Sequence, residues 1–377
     1  MKPIVRTVPA SVTMSLDLAA RELSAAGRDI INLTAGQVDL PIPDEGKAAL
    51  IAALEADRTG YVPATGSADL REAVRRKKGW TDGQILISSG AKPLLSAAIG
   101  CILGPGDEVL LPTPCYTSYP EMIRLFGAVP VPVPCRAQNG FTVTRHDLEH
   151  SVTPRAKALL LNHPTNPTGA VYDADALRAI VEFCKAHDLW LIADEVYGAF
   201  VYEDAFVSLY DFPDVRDRLI LIDSASKTYA MAGLRLGYAV APDPAAAAMS
   251  GFLSHAVGCP CSLSERAAIA VLSLRDTWSD RLRELFRARR DLLWSAVSEI
   301  PQLHGQKSAG AFYLWLDVTK IDGDDVRFCR RLLDTQGVAI TPGSAFLCPG
   351  YVRLAYTQDA TLLAEAAARL CRFCAQS

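Results

Sequence analysis

Three short apolar segments in the middle of the chain are each followed by side chains that can carry acid–base or nucleophilic chemistry. NHPTNPTG follows the first segment at 162–169, DEVY follows the second at 194–197, and DSASK follows the third at 223–227. A lysine amine can condense with a carbonyl compound, and a buried carboxylate can hold a nearby cation. Taken alone, the first sequence is also typical of a turn, the aspartate of the second is typical of a helix cap, and the lysine of the third is typical of a solvated side chain. Together, after successive strands, they predict a site at the carboxyl edge of a parallel sheet.

A turn of small residues, Ser89-Gly90-Ala91-Lys92, follows a fourth apolar segment and precedes a helical pattern. Backbone N–H groups at the start of a helix are suited to binding a phosphate group. Taken alone, this sequence favours an ordinary tight turn over a phosphate site. The chain contains neither a GxGxxG motif nor a Walker loop, which disfavours dinucleotide-dependent enzymes and NTPases.

The elements that must position these side chains repeat one pattern between about residues 84 and 241. Short β-branched or leucine-rich segments alternate with helical patterns, at 84–88, 108–112, 129–133, 157–161, 189–193, 219–222 and 237–241. Continuously apolar strands indicate a sheet that is covered on both faces, and the intervening helices indicate parallel crossovers. The last segment follows Lys227 too closely for a full helical crossover. An antiparallel direction is therefore also compatible with this strand.

The pattern changes after Pro260. A long, arginine-rich amphipathic stretch at 264–300 precedes GAFYLWLD at 310–317, and a helix, a strand and a closing helix follow. A chain of 377 residues is longer than one hydrophobic core usually supports. We therefore expect a large domain at 45–278 and a smaller α+β domain at 279–377, with residues 1–44 packing beside the smaller one.

The composition indicates a globular protein that does not bind nucleic acid. The formal net charge is -4, and the densest basic stretch, RRKKGW at 75–80, is typical of a solvated helix end. We expect a cytoplasmic protein without a membrane partner, because no segment has the apolar core of a signal peptide or the length of a membrane span. The ten cysteines are scattered without disulfide spacing, as in proteins of a reducing compartment.

Two short sequences have a spacing that metal ligands can adopt. Cys371-Arg-Phe-Cys374 lacks a second cysteine pair, and His146-Asp-Leu-Glu-His150 lacks a third ligand. We interpret the cysteines as structural and the histidines as part of a helix surface, and we expect no metal site.

Motifs along nearly the whole chain, from about Ser11 to Arg372, occur in the order found in one enzyme family. They are TAG at 34–36, GY at 60–61, LREA at 70–73, PGDE at 105–108, SYP at 118–120, NPTG at 166–169, DE at 194–195, GAFY at 310–313, PG at 342–343 and VRL at 352–354. Lys227 with Arg235 eight residues later is the most specific combination. On these residues the chain resembles the fold-type I, class I/II aminotransferases, and within them the bacterial aspartate-aminotransferase-like branch.

The resemblance implies an α/β fold with a mostly parallel sheet covered by helices, and pyridoxal 5'-phosphate as the cofactor. Lys227 is implied to hold the cofactor as a Schiff base and then to carry protons between substrate and cofactor. Asp194 is implied to lie against the pyridine nitrogen and to keep it protonated. Tyr197 and Asn166 are implied to contact the phenolic oxygen.

The family's phosphate site maps onto two parts of the chain. The implied phosphate ligands in the first part are the backbone N–H groups of Gly90, Ala91 and Lys92. In the second part they are the hydroxyls of Ser224 and Ser226 and the guanidinium of Arg235.

Five further residues match positions that contact the cofactor ring, the substrate or the partner subunit. Tyr116 matches the aromatic residue that stacks on the cofactor. Arg353 matches the arginine that binds the substrate α-carboxylate, and Gly36 and Asn166 match residues close to the substrate. Tyr61 matches a tyrosine that reaches the cofactor phosphate of the neighbouring subunit, which implies a homodimer with shared sites.

The implied activity is ping-pong transfer of the amino group of an L-α-amino acid to a 2-oxo acid. A pyridoxal-phosphate-dependent lyase, deaminase or oxidase of a biosynthetic pathway is the alternative, because the same fold supports these reactions. A cofactor-binding transcriptional regulator would need an added helix-turn-helix region, and the chain starts where the family's enzyme domain starts.

The resemblance does not name the substrate. The sequence GQVDL at 36–40 stands where close relatives read Gly-Glu-Pro-Asp-Phe, in a segment that lies near the substrate. No position matches the arginine that binds the distal carboxylate in typical aspartate aminotransferases. The resemblance therefore does not imply that aspartate is the substrate of this protein.

Overall fold

The computed structural model describes residues 12–275 and 277–376, with side chains from residue 17 onward. The helices are α1 (Val12–Ala25), α2 (Asp44–Glu55), α3 (Ala68–Lys78), α4 (Ala91–Ile102), α5 (Ser118–Leu125), α6 (Arg145–Ser151), α7 (Ala174–Ala186), α8 (Ala225–Thr228), α9 (Asp243–Ala256), α10 (Ser262–Leu272), α11 (Thr277–Val297), α12 (Asp325–Gln336) and α13 (Ala360–Ala375). The strands are β1 (Ile31–Asn32), β2 (Gln84–Ser88), β3 (Glu108–Thr113), β4 (Val129–Pro134), β5 (Ala156–Asn162), β6 (Trp190–Asp194), β7 (Leu219–Ser224), β8 (Gly237–Ala241), β9 (His304–Gln306), β10 (Tyr313–Asp317), β11 (Val338–Ala339), β12 (Thr341–Pro342) and β13 (Tyr351–Ala355).

Seven of these strands form one sheet in the order β2-β8-β7-β6-β5-β3-β4. Strands β4, β3, β5, β6 and β7 run parallel, whereas β8 is antiparallel to both of its neighbours. The predicted mostly parallel α/β sheet is confirmed, and the strand after Lys227 is the antiparallel one. Because β5, β6 and β7 are neighbours, their carboxyl ends meet at one edge of the sheet.

Both faces of this sheet are buried, as the continuously apolar strands predict. Leu159 and Leu161 of β5 belong to one buried cluster, while Leu160 belongs to another. Successive side chains of a strand point to opposite faces, so the two clusters lie on the two sides of the sheet. The double burial fixes the positions of the strand ends that carry polar side chains.

A smaller antiparallel sheet has the order β12-β13-β10-β9 and carries its own buried cluster. Strand β1 pairs in parallel with β11, which joins the N-terminal part of the chain to the C-terminal part. The expected division into 1–44, 45–278 and 279–377 stays a prediction.

The two candidate metal-ligand sequences lie on helices. His146 and His150 are on α6 with ring centroids 4.1 Å apart, and Cys371 and Cys374 are on α13. No group of three or more histidine, cysteine or acidic side chains within 12–275 and 277–376 is arranged to hold a metal ion. No helix in the same ranges is long and apolar enough to cross a membrane.

Candidate active site

A cavity of about 980 Å³ lies at the carboxyl edge of the large sheet and extends to the smaller one. Its lining includes every site residue that the sequence predicted except Gly90 and Tyr61. The residues brought together are Gly36, Ala91, Lys92, Tyr116, Asn166, Asp194, Tyr197, Ser224, Ser226, Lys227, Arg235 and Arg353. The amine of Lys227 and the buried carboxylate of Asp194 lie in this one cavity.

Lys227 lies on the short helix α8, directly after β7, and its Nζ donates a hydrogen bond to the backbone oxygen of Gly36. Burial lowers the pKa of Lys227 to about 8, and the positive charges of Arg353 and Arg235 act in the same direction against Asp194. Relative to an ordinary lysine, the unprotonated fraction at neutral pH rises by roughly two orders of magnitude. The amine is therefore available for nucleophilic attack.

Asp194 ends β6 and is buried. The hydroxyl of Tyr119 donates to its Oδ2 at 2.6 Å, and the backbone N–H of Val196 donates to Oδ1 at 3.3 Å. Burial raises the pKa of Asp194 to about 6, although both hydrogen bonds act in the opposite direction. The carboxyl is thus ionised at neutral pH and is suited to pairing with a cationic ring nitrogen.

Arg353 lies on β13 and is buried. Its Nη1 donates to Oδ1 of Asn166 at 2.8 Å, and its Nη2 donates to the backbone oxygen of Thr34 at 2.5 Å. The buried Nε has no hydrogen-bond partner in the structure. A buried guanidinium with an unused donor is arranged to bind a carboxylate that is not part of the protein.

Tyr313 on β10 connects these groups. Its hydroxyl lies 2.8 Å from the hydroxyl of Tyr197, and its ring centroid lies 4.4 Å from the guanidinium carbon of Arg353. A Cβ added at Gly36 would overlap the Tyr313 hydroxyl, so glycine permits the close approach of this segment. Tyr313 and Tyr119 lie in motifs that match the family, but the sequence predicted no role for either of them.

A cradle for an anion forms where α4 begins. Gly90 has a φ of 99°, and a Cβ added there would lie 2.5 Å from Nη2 of Arg235. The first turn of α4, whose N–H groups have no partner within the helix, and both Ser224 and Ser226 line the same cavity. This combination of N–H groups, hydroxyls and a guanidinium is typical of a phosphate site.

The sequence of residues 28–370 matches the family model for aminotransferases of class I and II. The chain belongs to this family. It is 38% identical over 373 residues to the probable aspartate/prephenate aminotransferase of Aquifex aeolicus, covering 96% of this chain and 95% of that protein. It is 35% identical over 384 residues to the aspartate aminotransferase of Geobacillus stearothermophilus, covering 98% and 97%.

The fold agrees with solved aminotransferase structures. The aspartate aminotransferase of Thermus thermophilus with maleate superposes with a TM-score of 0.94 at 34% identity, over 99% of each chain. The aspartate aminotransferase of Thermotoga maritima gives 0.94 at 33% identity, over 100% of each chain. The protein is accordingly a pyridoxal-phosphate-dependent aminotransferase with the type I fold.

The residues of this aminotransferase fit its cofactor. The cradle at Gly90 leaves no room for a side chain beside Arg235, as an anion site requires. A nucleophilic amine and an ionised buried carboxyl line the remainder of the cavity. Lys227, Asp194, Arg235 and the hydroxyls of Ser224 and Ser226 are the side chains that would hold pyridoxal phosphate.

Tyr61 and Gly90 are the predicted site residues outside the cavity lining. Gly90 still shapes the site, because its backbone opens α4. The side chain of Tyr61 is 100% exposed in the single chain and lies outside the cavity. Its predicted role depends on a second subunit.

The mouth of the cavity contains residues that the sequence analysis did not identify. Asp17, Leu18 and Arg21 of α1 contribute to the lining. The Nε of Arg21 donates to Oδ2 of Asp17 at 2.7 Å, and the side-chain amide of Asn32 donates to Oδ1 of Asp17 at 2.7 Å. The sequence of an amphipathic helix does not indicate which cavity the helix will border.

Proposed function

We propose that this aminotransferase moves the amino group of a dicarboxylic L-α-amino acid to a 2-oxo acid by a ping-pong reaction in which Lys227 is the central catalytic residue. The observation that carries the proposal is that Lys227, Asp194 and Arg353 line one cavity. Desolvation lowers the pKa of the Lys227 amine in this cavity. The dicarboxylic substrate is inferred from the mouth of the cavity and from the relatives.

Each residue has a distinct task in this reaction. Arg353 binds the substrate α-carboxylate with its guanidinium and thereby fixes the orientation of the bonds at the α-carbon. Lys227, once its amine is free, removes the α-proton and returns a proton on the cofactor side. Tyr197 and Asn166 would contact the phenolic oxygen of the cofactor, and the Tyr313 hydroxyl, 2.8 Å from that of Tyr197, holds it in place.

Pyridoxal phosphate, when bound, supplies an aldehyde that takes up the amino group and a ring that withdraws electrons from the α-carbon. Asp194 would hold a negative charge against the ring nitrogen, because its pKa of about 6 leaves it ionised at neutral pH. Tyr119 supports the ionised state because its hydroxyl donates a hydrogen bond to the carboxylate. Tyr116 lines the same cavity, and its ring would stack on the bound cofactor.

Two cations at the cavity support a second anionic group on the substrate. The Nζ of Lys92 lies 5.5 Å from the centroid of the Tyr116 ring. Arg21 lies at the mouth of the cavity, and its Nε donates a hydrogen bond to Oδ2 of Asp17. The terminal nitrogens of Arg21 form no hydrogen bond with any described side chain or backbone group. The relatives named as aspartate aminotransferases act on a dicarboxylic amino acid, and maleate in the Thermus thermophilus structure is a dicarboxylic acid.

The substrate class is tested by replacing the two cations. Arg21→Gln and Lys92→Met should each lower kcat/KM for aspartate by about tenfold, because a charge-assisted hydrogen bond is lost. The value for alanine should change by less than about twofold, since alanine has no distal carboxylate. Arg330→Gln, on the exposed face of α12, is the matched control. Equal losses for aspartate and alanine would contradict the assignment.

We further propose a homodimer in which Tyr61 contacts the phosphate of the partner's cofactor. Tyr61→Phe should weaken cofactor binding by about tenfold without changing the melting temperature of the cofactor-free protein, since the hydroxyl is exposed in the single chain. Equilibrium dialysis and calorimetry measure the two quantities. A monomer that is fully active during sedimentation would refute the shared site.

A cytoplasmic location is proposed as well, because all ten cysteines are free in the structure and a reducing compartment keeps them so. The lyase alternative has no support from the relatives compared above, which are aminotransferases.

A further inference from the structure

A series of hydrogen bonds connects α1, at the mouth of the cavity, with Arg353 inside it. Its middle member is Asn32, the last residue of β1. The side-chain Oδ1 of Asn32 accepts hydrogen bonds from the backbone N–H of Thr34 at 2.9 Å and from the Thr34 hydroxyl at 2.7 Å. The backbone oxygen of Thr34 in turn accepts from Nη2 of Arg353 at 2.5 Å. A single residue therefore separates the Asn32 amide from the guanidinium.

The hydrogen bond from the Thr34 N–H to the Asn32 side chain forms an Asx turn, which fixes the backbone where the chain leaves β1. Between these two residues, the backbone N–H of Leu33 donates to the oxygen of Ala339 at 2.8 Å, and the backbone N–H of Ala355 donates to the oxygen of Leu33 at 2.9 Å. Thr34 itself is buried. The turn therefore sets the direction of the Thr34 carbonyl in the interior of the protein.

The Thr34 carbonyl is one of two acceptors that define the plane of the Arg353 guanidinium. The other is Oδ1 of Asn166, which accepts from Nη1 at 2.8 Å. A guanidinium is a rigid planar fork, so acceptors on its two terminal nitrogens fix its orientation. The buried Nε has no hydrogen-bond partner among the described residues. A rotated Thr34 carbonyl would therefore turn the fork away from the substrate α-carboxylate.

Asp17 of α1 determines which way the Asn32 amide faces. Its Oδ1 accepts from Nδ2 of Asn32 at 2.7 Å, and its Oδ2 accepts from Nε of Arg21 at 2.7 Å. A carboxylate only accepts hydrogen bonds, so the NH₂ group of the amide must face Asp17. The amide oxygen must then face Thr34, whose N–H and hydroxyl both donate to it.

We propose that Asn32 is a positioning residue for amino-acid binding, which orients Arg353 through the Thr34 carbonyl. Asp17 holds the Asn32 amide in the orientation that this requires. The proposal rests on the role of Arg353 given under the proposed function. Because every L-α-amino acid carries an α-carboxylate, the effect extends to all amino-acid substrates, whereas a cation at the mouth of the cavity acts only on a distal carboxylate.

The test compares kcat/KM for alanine and for aspartate in variants of the full-length, cofactor-loaded enzyme. Asn32→Ala removes both bonds to Thr34. Asn32→Asp keeps an acceptor for Thr34 but places a carboxylate against Asp17. The double variant, Asn32→Asp with Asp17→Asn, exchanges the amide and the carboxylate, so that the hydrogen bond between them forms again with donor and acceptor reversed. The cofactor retained after dialysis is measured for each variant.

Asn32→Ala should lower kcat/KM by about tenfold, and the factors for alanine and aspartate should agree within about twofold, because both substrates carry the α-carboxylate. Asn32→Asp should lower both values by about fivefold, since the two facing carboxylates repel. The double variant should return to within about twofold of the wild-type value for alanine. Cofactor retention should not change, because Arg353 is not one of the residues that would hold the cofactor.

The matched control is the exposed hydrogen bond of 3.0 Å between Gln84 and Asp243, which also joins an amide to a carboxylate and lies outside the cavity lining. Gln84→Glu, alone and together with Asp243→Asn, should leave kcat/KM unchanged for both substrates.

A double variant that is no more active than Asn32→Asp would overturn the proposal, because exchanging the two groups does not repair a loss of packing. An unchanged kcat/KM in Asn32→Ala, or a loss confined to aspartate, would overturn it as well. If Asn32→Ala does not fold, the comparison of Asn32→Asp with the double variant still decides. Failure of the underlying role of Arg353 is recognised separately: Arg353→Gln would then retain the wild-type kcat/KM for alanine.

Discussion

Replacement of Lys227 by alanine should lower kcat for amino transfer by at least about 10⁴-fold, since the residue that moves the proton at the substrate α-carbon is then lost. The effect should be on kcat far more than on the binding of the amino acid, because Arg353 is unchanged and continues to bind the α-carboxylate. Single-turnover kinetics with saturating cofactor measure the loss.

Lys185→Ala is the matched control for this variant. Lys185 is an exposed lysine of α7 that pairs with Asp214 and lies outside the cavity lining. It should retain wild-type kcat. A Lys227→Ala protein with more than about one-hundredth of the wild-type kcat would show that another group carries the proton, since general acid–base catalysis accounts for a larger factor.

Asp194→Ala should lower kcat/KM by about 10³-fold, since a fixed negative charge in a dry site is lost at the atom where positive charge must be held. The hydroxyl of Tyr119, which donates to Asp194 at 2.6 Å, also loses its partner. Asp194→Asn keeps the shape and should recover packing but not activity. Steady-state kinetics and the melting temperature separate the two effects.

The control for Asp194 is Glu182→Ala, which removes an exposed carboxylate of α7. It should leave kcat/KM unchanged. Full activity of Asp194→Asn would contradict the proposed charge at the ring nitrogen.

The sequence predicted the large sheet and the groups at its edge because both have local signals. Continuous apolar segments separated by helical patterns specify strands buried on both faces, and the structure has them at Ala156–Asn162, Trp190–Asp194 and Leu219–Ser224. Asp194 is the last residue of β6, and Lys227 lies on α8, which directly follows β7. The adjacency of the strands then brings the side chains into one cavity.

Contacts between distant segments had no such signal. Tyr119 binds Asp194 across 75 residues, and Asp17 meets Asn32 only because α1 packs beside β1. In the sequence, Lys78 is one of several cations at the end of a basic helix. Only the packing of α3 against the sheet brings it to Asp223. These pairings depend on tertiary packing, which a periodic pattern does not specify.

The central claim is tested most directly by mixing the cofactor-loaded enzyme with aspartate in the absence of any 2-oxo acid. A ping-pong aminotransferase should form about one 2-oxo acid per site and then stop, with the absorbance of the bound cofactor moving to shorter wavelength as it takes up the amino group. Adding a 2-oxo acid should restore the original spectrum, and Lys227→Ala should form none of the product on the same time scale. Ammonia released over many turnovers, with the spectrum restored unaided, would contradict the account.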